Sequence, residues 1–392
     1  MAVNSRAGQS TLEIVAAIQS VVRRKRVGLH DPVFEGNERR YLDDCINSGF
    51  VSSAGPFVAK FEQDLASFVG APYAVALVNG TSALHLALVG LGVRPGDEVL
   101  VPALSFVATA NAVALAGATP HFVDVSWESW GVGAEGLREY LTVVLDSRGK
   151  QSVNRFTGRP VTALVPMHTL GFAADGDGLA EVAREFGLIL VEDAAEALGT
   201  FADGSHAGLA GQAGCFSFNG NKTITTGGGG AIVTKDGTLA ERLKHLSTTA
   251  KVPHRYEFDH DQIGYNYRMP NVNAALGVAQ LEQLPQLLGR QRALHSMYVE
   301  AFDGLALGKK PSERPGTVSN YWLQAFLLDD SLRGSRDIIL NACLDLDIPV
   351  RPLWKPLNRL MPYLSSPSAN TPVADDLYSR VICLPSSPVL AG

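Results

Sequence analysis

The chain has 392 residues, of which 46% are hydrophobic and 18% charged, and its formal net charge at pH 7 is −6. This composition is typical of a well-packed globular enzyme, and the lack of a basic excess argues against nucleic acid as a partner. The four cysteines form no CxxC pair and the nine histidines show no metal-binding spacing, so we expect neither disulfides nor a bound metal.

An apolar stretch at residues 12–18 is interrupted by a glutamate and followed by a short basic run at residues 23–26. In a secretory signal the basic residues come first, so this order favours an amphipathic helix. No apolar run is long enough to span a bilayer. We therefore expect a cytoplasmic protein that does not contact membranes, with an N-terminal helical segment over residues 1–36.

Between residues 57 and 235, apolar runs of strand length alternate with helical stretches, which predicts a mostly parallel sheet with helices on both faces. The strand-like runs are residues 73–78, 98–102, 121–124, 163–166, 188–191 and 230–234. The helical runs are residues 82–90, 108–116, 178–186 and 238–246. The polar, glycine-containing residues 146–159 are interpreted as a surface loop or an insertion. Together these elements predict a large α/β domain over residues 37–255.

The C-terminal part, residues 256–392, has a different pattern. A long helical pattern runs from Pro270 to about residue 302 and is followed by shorter segments. The shorter segments are a strand-like run at 321–328, a helix near 335–346 and a strand-like run at 348–351. Because strands and helices are mixed here, we expect a smaller α+β domain.

Residues 214–230 place Lys222 between apolar residues, hydroxyl side chains and four consecutive glycines. A lysine forms a Schiff base with an aldehyde through its neutral amine, which a tight and partly desolvated surround favours. The segment thus looks like an attachment site for pyridoxal phosphate (PLP). A surface turn that ends in a flexible glycine run would have the same composition, so this segment alone leaves both interpretations open.

Asp193 follows the apolar run 188–191, and in a doubly wound sheet ligands bind outside the carboxyl ends of the strands. A carboxylate there can keep a pyridine nitrogen protonated, which makes the ring an electron sink. An aspartate after a strand is more often a helix N-cap. Lys222 downstream favours the functional interpretation, because the two side chains can hold opposite ends of one cofactor.

Gly80, Thr81 and Ser82 join a strand to a helix, and free N–H groups at a helix N-terminus bind phosphate. Ordinary capped helices look the same. Ser217, five residues before Lys222, could add a hydroxyl to the same phosphate.

Other polar or aromatic residues follow predicted strands. Phe106 could stack on a planar cofactor, although a core phenylalanine is the alternative. His168 lies at a similar strand end, where a lone histidine is usually a structural hydrogen-bonding residue. Residues 264–270 combine tyrosine, asparagine and arginine before the long helix, and could bind a phosphate or a sugar as well as form a turn.

Five motifs, in this order, resemble the sugar aminotransferases of the DegT/DnrJ/EryC1/StrS family, which are fold-type I PLP enzymes. The motifs are residues 79–84 (Asn-Gly-Thr-Ser-Ala-Leu), 102–109 (Pro-Ala-Leu-Ser-Phe-Val-Ala-Thr), 192–197 (Glu-Asp-Ala-Ala-Glu-Ala), 217–222 (Ser-Phe-Asn-Gly-Asn-Lys) and 264–269 (Gly-Tyr-Asn-Tyr-Arg-Met). The resemblance extends from residue 51 to residue 388. It implies an α/β fold whose large domain has a mostly parallel, seven-stranded sheet between helices.

The resemblance also implies roles for individual residues. Lys222 would carry the cofactor and act as general base, Asp193 would pair with the pyridine nitrogen, and Phe106 would stack on the ring. Glu196 stands near the ring, where many relatives carry glutamine or histidine. The phosphate would be held by Gly80, Thr81, Ser82 and Ser217, with Asn266 from the second subunit of a homodimer that shares its active sites.

Within the family, residues 167–168, 225–230, 248–254 and 259–261 are similar to the branch named for legionaminic acid biosynthesis. That similarity implies transfer of an amino group from L-glutamate to C4 of UDP-4-keto-6-deoxy-N-acetylglucosamine, for cell-surface glycan synthesis. The expected substrate contacts are His168, Lys251, His254, Tyr267, Arg268 and Trp354. Ser105 and Asn358 depart from the threonine and histidine that are usual in the family.

Four alternatives remain at this point. Residues 192–196 are shared with the branch that converts GDP-4-keto-6-deoxymannose to perosamine. A nicotinamide-dependent oxidoreductase would have a similar sheet, but the chain lacks GxGxxG at the first strand–helix turn. A non-catalytic regulator that binds PLP or another ligand would be expected to have lost Lys222 or Asp193, and a dehydratase branch carries histidine in place of Lys222.

Overall fold

The computed structural model describes residues 2–23, 26–148 and 151–392. Residues 24 and 25 of the basic run and residues 149 and 150 of the predicted loop lie outside this description. The helices are α1 (Ala2–Val22), α2 (Glu38–Ser48), α3 (Pro56–Val69), α4 (Gly80–Leu91), α5 (Val107–Leu115), α6 (Ala134–Val144), α7 (Gly176–Glu185), α8 (Gly237–Ser247), α9 (Asn271–Ala301), α10 (Arg336–Leu344) and α11 (Pro372–Arg380). In this part of the chain no helix is both long and apolar enough to cross a membrane.

The strands range from two to five residues in length. They are β1 (Tyr73–Leu77), β2 (Glu98–Pro102), β3 (Thr119–Val123), β4 (Leu145–Arg148), β5 (Gln151–Asn154), β6 (Pro160–Leu164), β7 (Ile189–Asp193), β8 (Phe201–Ala202), β9 (Ser205–His206), β10 (Ala213–Ser217), β11 (Gly230–Thr234), β12 (Lys251–Val252), β13 (Asp259–His260), β14 (Gly308–Lys309), β15 (Thr317–Val318), β16 (Gln324–Leu328), β17 (Arg351–Pro352) and β18 (Val381–Leu384).

The main sheet has the strand order β1-β11-β10-β7-β6-β2-β3. β11 is antiparallel to both of its neighbours, whereas β10, β7, β6, β2 and β3 pair in parallel. β1 therefore runs in the same direction as β10, and all strands of this path except β11 end at one edge. The predicted fold class, a mostly parallel sheet between helices, is confirmed.

Helix α4 begins at this carboxyl edge and has a strong N-terminal cap. The side chain of Asn79 accepts a hydrogen bond from the Ser82 N–H at 2.7 Å, which satisfies one of the free donors of the first turn. The helix is apolar almost all round and nearly every residue is buried, because it packs between the sheet and the neighbouring helices α5 and α8. Its N-terminus is therefore fixed relative to the strand ends.

A second, antiparallel sheet has the order β14-β16-β18-β17. Tyr298 of the long helix α9, Phe326 of β16, and Ile14 and Ile18 of α1 belong to one apolar cluster. The predicted N-terminal helix, long helix and mixed C-terminal elements are thus confirmed as elements. The domain boundaries stay a prediction.

Residues 146–159 are predicted to be a surface loop or an insertion, and the loop alternative is wrong. β4 and β5 form a hairpin, and β5 continues the main sheet beside β6. The polar residues of this segment satisfy the buried Glu98, whose carboxylate accepts hydrogen bonds from Asn154 and Thr157. The strand predicted at 348–351 is also largely wrong, since only Arg351 belongs to β17.

Candidate active site

A cavity of about 530 Å³ lies at the carboxyl edge of the main sheet. The N-terminal turn of α4, the ends of β7 and β10 and the segment around β17 contribute to its walls. The predicted site residues among its lining are Gly80, Thr81, Phe106, Asp193, Glu196, Ser217, Lys222 and Trp354. Motifs that are far apart in sequence thus converge on one cavity.

Lys222 projects into this cavity and is held on several sides. Its Nζ donates to Glu196 Oε1 at 3.1 Å and lies 3.9 Å from the centroid of the Trp322 ring. The Trp322 ring N–H donates to the Asn221 carbonyl at 2.6 Å, so the ring is tied to the lysine's own turn. Only 13% of the lysine side chain is exposed. The amine is therefore positioned by an anion and an aromatic face.

Asp193 is buried at the end of β7. Its Oδ2 accepts from the Thr109 hydroxyl at 2.7 Å, and its Oδ1 accepts from the Ala195 N–H at 3.1 Å. Thr109 has one hydroxyl proton, which it donates to Asp193. Ser105 Oγ lies 2.7 Å from Thr109 Oγ1 and is therefore the donor of that second hydrogen bond. Burial raises the pKa of Asp193, and the Thr109 hydrogen bond opposes that rise.

Glu196 is the second carboxylate of the cavity. Besides the contact with Lys222, its Oε2 accepts from the Leu170 N–H at 2.9 Å. Burial raises the pKa of Glu196 to about 7, although the charge of Lys222 opposes this. The residue can therefore gain or lose a proton near neutral pH.

The start of α4 and the end of β10 approach each other closely. A Cβ added to Gly80 would lie 2.8 Å from the Cβ of Ser217, and one added to Gly230 would lie 2.5 Å from the Asn79 carbonyl oxygen. Only glycine allows this approach, which leaves backbone N–H groups and the Ser217 hydroxyl beside the cavity. Ser82 is buried and does not line the cavity.

These residues fit PLP. Lys222 offers the amine, Asp193 offers a buried acid at the end of the neighbouring strand β7, and the glycine-lined turn at Gly80 offers a phosphate cradle. Gly228 and Gly229 leave further room along the cavity. Bound there, PLP supplies an electron-withdrawing ring that stabilises negative charge on a neighbouring carbon.

His168 lies outside this cavity. Its Nδ1 accepts from the Ala174 N–H at 3.1 Å, so the Nε2 proton donates to Glu192, also at 3.1 Å. Glu192 further accepts from the N–H groups of Gly208, Ala210 and Gly211. These hydrogen bonds lower the pKa of Glu192 although its burial would raise it. Both ring nitrogens of His168 thus have structural partners.

The remaining predicted contacts lie away from the cavity of their own chain. Residues 265–269 extend along β1, where Val78 N–H donates to the Tyr267 carbonyl at 2.9 Å. Asn266 and Arg268 are exposed on this edge. Lys251 and His254 belong to the β12–β13 hairpin, where the Lys251 Nζ lies 3.8 Å from the Phe258 ring centroid.

Several functional positions were missing from the sequence predictions. Thr109 ends the motif 102–109 and follows Ser105 by one helical turn. The sequence therefore contained a signal that could have identified it. Trp322 and Arg351, which also line the cavity, come from the C-terminal part, and no motif there indicated them. Asn320 donates from one amide to the carbonyls of Glu196 and Leu198 and so links that part to the site.

The fold and the cavity together define a PLP-dependent enzyme. The chain belongs to the DegT/DnrJ/EryC1/StrS aminotransferase family, whose profile matches residues 33–392. It is therefore a PLP-dependent sugar aminotransferase, and the predictions of family, enzyme class and cofactor are confirmed.

Relatives and solved structures agree with this assignment. The GDP-perosamine synthase of Escherichia coli O157:H7 is 36% identical over 368 residues, which cover 94% of this chain and 95% of that protein. The GDP-perosamine synthase of Vibrio cholerae is 36% identical over 366 residues, covering 93% and 95%. The crystal structure of the aminotransferase TlmJ from Streptoalloteichus hindustanus superposes with a TM-score of 0.82 at 28% identity, covering 92% of this chain and 94% of that one.

Proposed function

We propose that the enzyme transfers an amino group from L-glutamate to C4 of GDP-4-keto-6-deoxymannose, giving GDP-perosamine. The observation that supports this substrate is the similarity, over almost the whole chain, to two GDP-perosamine synthases. The Glu-Asp-Ala-Ala-Glu string at residues 192–196 points the same way. The motifs that resemble the legionaminic acid branch favoured UDP-4-keto-6-deoxy-N-acetylglucosamine over the GDP sugar. The similarity to the two synthases reverses that preference, and the UDP sugar becomes the competing substrate.

The residues of the cavity have different roles in the reaction. The amine of Lys222 removes the proton from Cα of the amino donor and later delivers it, because it is the basic group that the site holds toward the cavity. Asp193 keeps a negative charge buried at the wall of the cavity, where it would compensate the positive charge of a protonated PLP ring nitrogen. The Thr109 hydroxyl stabilises the charge of Asp193. The apolar lining restricts water while the proton moves.

The substrate proposal is tested with a panel of nucleotide-linked 4-keto-6-deoxy sugars, each supplied with L-glutamate and PLP. Products are identified by mass spectrometry and NMR, and kcat/KM is compared between sugars. We expect the GDP sugar to give the highest kcat/KM. A higher value for the UDP sugar would refute the substrate proposal while leaving the enzyme class intact.

We also propose that two chains form a dimer with shared active sites. Asn266 is exposed, and the neighbouring segment carries the exposed apolar side chains Tyr256, Phe258 and Ile263, of which 75%, 79% and 85% are accessible. Exposed apolar side chains of this size favour a protein partner. A second chain that covers them would bring its Asn266 to the neighbouring cavity.

Subunit mixing tests the shared site. Lys222→Ala and Asn266→Ala are each expected to be inactive as homodimers. When the two are unfolded together and refolded, mixed dimers contain one intact site, so we expect about a quarter of the wild-type activity. No recovery in a sample that contains mixed dimers would show that Asn266 serves the cavity of its own chain.

A further inference from the structure

Glu196 is the carboxylate in direct contact with the reactive amine. Its Oε1 lies 3.1 Å from Lys222 Nζ, and its side chain is 1% exposed. Its other oxygen accepts one hydrogen bond, from the Leu170 N–H. Asp193, by contrast, is held by the Thr109 hydroxyl and the Ala195 N–H. A proton can therefore pass between Lys222 and Glu196 along a hydrogen bond that is already formed.

We propose that Glu196 takes a proton from the Lys222 ammonium when the lysine bonds to the aldehyde of PLP, and returns it when the lysine is released. In the first step the Nζ–H bond breaks and an Oε1–H bond forms. An ammonium and a carboxylate thereby become a neutral amine and a carboxylic acid. The amine lone pair then bonds to the aldehyde carbon, and the aldehyde oxygen leaves as water with the two remaining Nζ protons. A glutamine at this position could not accept the proton.

The burial of the pair favours this transfer. Taking two charges out of water disfavours the ion pair relative to the neutral pair. The same burial raises the pKa of Glu196 to about 7, so either protonation state is accessible near neutral pH. The pair can thus release its amine without passing a proton to bulk water.

Other ionisable groups face the pair from neighbouring elements. Burial raises the pKa of Cys383 on β18 to about 12, and burial together with the charge of Lys222 lowers the pKa of His30 to about 4. Both therefore keep one protonation state around neutral pH. Asp193 at the end of β7 and Arg351 of β17 are unchanged in wild type and in both variants of the test below. Their charges therefore act equally in all three proteins.

The test measures how fast PLP attaches to the cofactor-free, full-length protein as a function of pH. Wild type is compared with Glu196→Gln, and Glu185→Gln is the matched control because that glutamate is exposed and lies on α7. Attachment is followed by absorbance near the visible edge, without amino donor or sugar. The result is thus independent of which nucleotide sugar the enzyme uses.

A lysine–glutamate pair that shares one proton keeps a constant fraction of neutral amine between its two titration steps. Without the carboxylate, the neutral fraction of a lysine rises about tenfold per pH unit until the lysine itself titrates. We therefore expect the rate of Glu196→Gln divided by that of wild type to rise about tenfold per pH unit above about pH 7. The ionisations of PLP cancel in this ratio. A ratio that does not change with pH would overturn the proposal.

Infrared difference spectra give a second, independent measurement. On attachment of PLP we expect a new carbonyl band from a buried carboxylic acid, retained in Glu185→Gln and absent in Glu196→Gln. Circular dichroism checks that each variant is folded. If wild type shows no carboxylic acid band, the proton does not go to Glu196 and the proposal fails.

Discussion

Replacing Gly230 by alanine should displace the turn that begins α4. Gly230 lies opposite Ser217 and Leu77 in the sheet. A Cβ at this position would lie 2.5 Å from the Asn79 carbonyl oxygen and 2.7 Å from the Gly80 nitrogen. Ordinary contacts begin at 3.4 Å, so the backbone at Asn79 must move by about 0.9 Å. Both obstructing atoms belong to the main chain, so a side-chain rotation cannot relieve the clash.

Two quantities should change together. Overpacking of this kind costs about 1–3 kcal/mol of unfolding free energy, which urea denaturation of the cofactor-free protein measures. A displacement of about 1 Å in a binding or catalytic group can reduce its effectiveness about a hundredfold. We therefore expect the Kd for PLP, measured by absorbance titration, to rise at least about tenfold.

Gly220→Ala is the matched control. Gly220 lies two residues before Lys222, but no heavy atom lies within 4 Å of an added Cβ. We expect its unfolding free energy and PLP affinity to remain close to wild type. If Gly230→Ala behaves like Gly220→Ala in both measurements, the close approach of β11 to the turn before α4 does not support the cofactor site.

Two further changes test the site itself. Lys222→Ala should abolish transamination while circular dichroism shows that the fold survives, although the buried Glu196 loses its partner. The exposed Lys244→Ala should remain active. Residual turnover by Lys222→Ala would contradict the role of the Lys222 amine. Thr109→Val removes the hydroxyl that opposes the burial-driven rise in the pKa of Asp193. Because hydrogen bonds to charged groups contribute about 1.5–3 kcal/mol, we expect kcat/KM near neutral pH to fall about tenfold or more. The acid limb of its pH profile should move to higher pH, since Asp193 must stay ionised, and an unchanged profile would show that Thr109 does not control this charge.

The sequence predicted the central part of the site because local signals and strand order agree there. Lys222 and Asp193 each follow a strand of the parallel sheet, and such strands end at one edge. The glycines at positions 80 and 230 mark places where two backbone segments meet. The place of each of these motifs in the sequence therefore predicted where it lies in the fold.

Other features depend on contacts that the sequence does not reveal. The hairpin β4–β5 is polar, and its place in the sheet depends on the buried Glu98, about fifty residues earlier. Trp322 contacts Lys222, and two residues before it Asn320 links the segment preceding β16 to the segment after β7. The two nitrogens of His168 are occupied by Ala174 and Glu192, which no spacing rule indicates. Such pairings are decided by tertiary packing.

The partners of the two neighbouring acids on β7 differ in their tolerance to mutation. Three donors of Glu192 are main-chain N–H groups, in the segment from residue 208 to residue 211. Every residue except proline carries such a group, but Gly208 has a φ of +100° and a Cβ on Gly211 would collide with the Leu190 carbonyl, so two of the three donors depend on glycine. Asp193 has one main-chain donor, the Ala195 N–H, and one side-chain donor, the Thr109 hydroxyl. Over evolutionary time the charge on Glu192 thus depends on keeping two glycines, and that on Asp193 on keeping one hydroxyl.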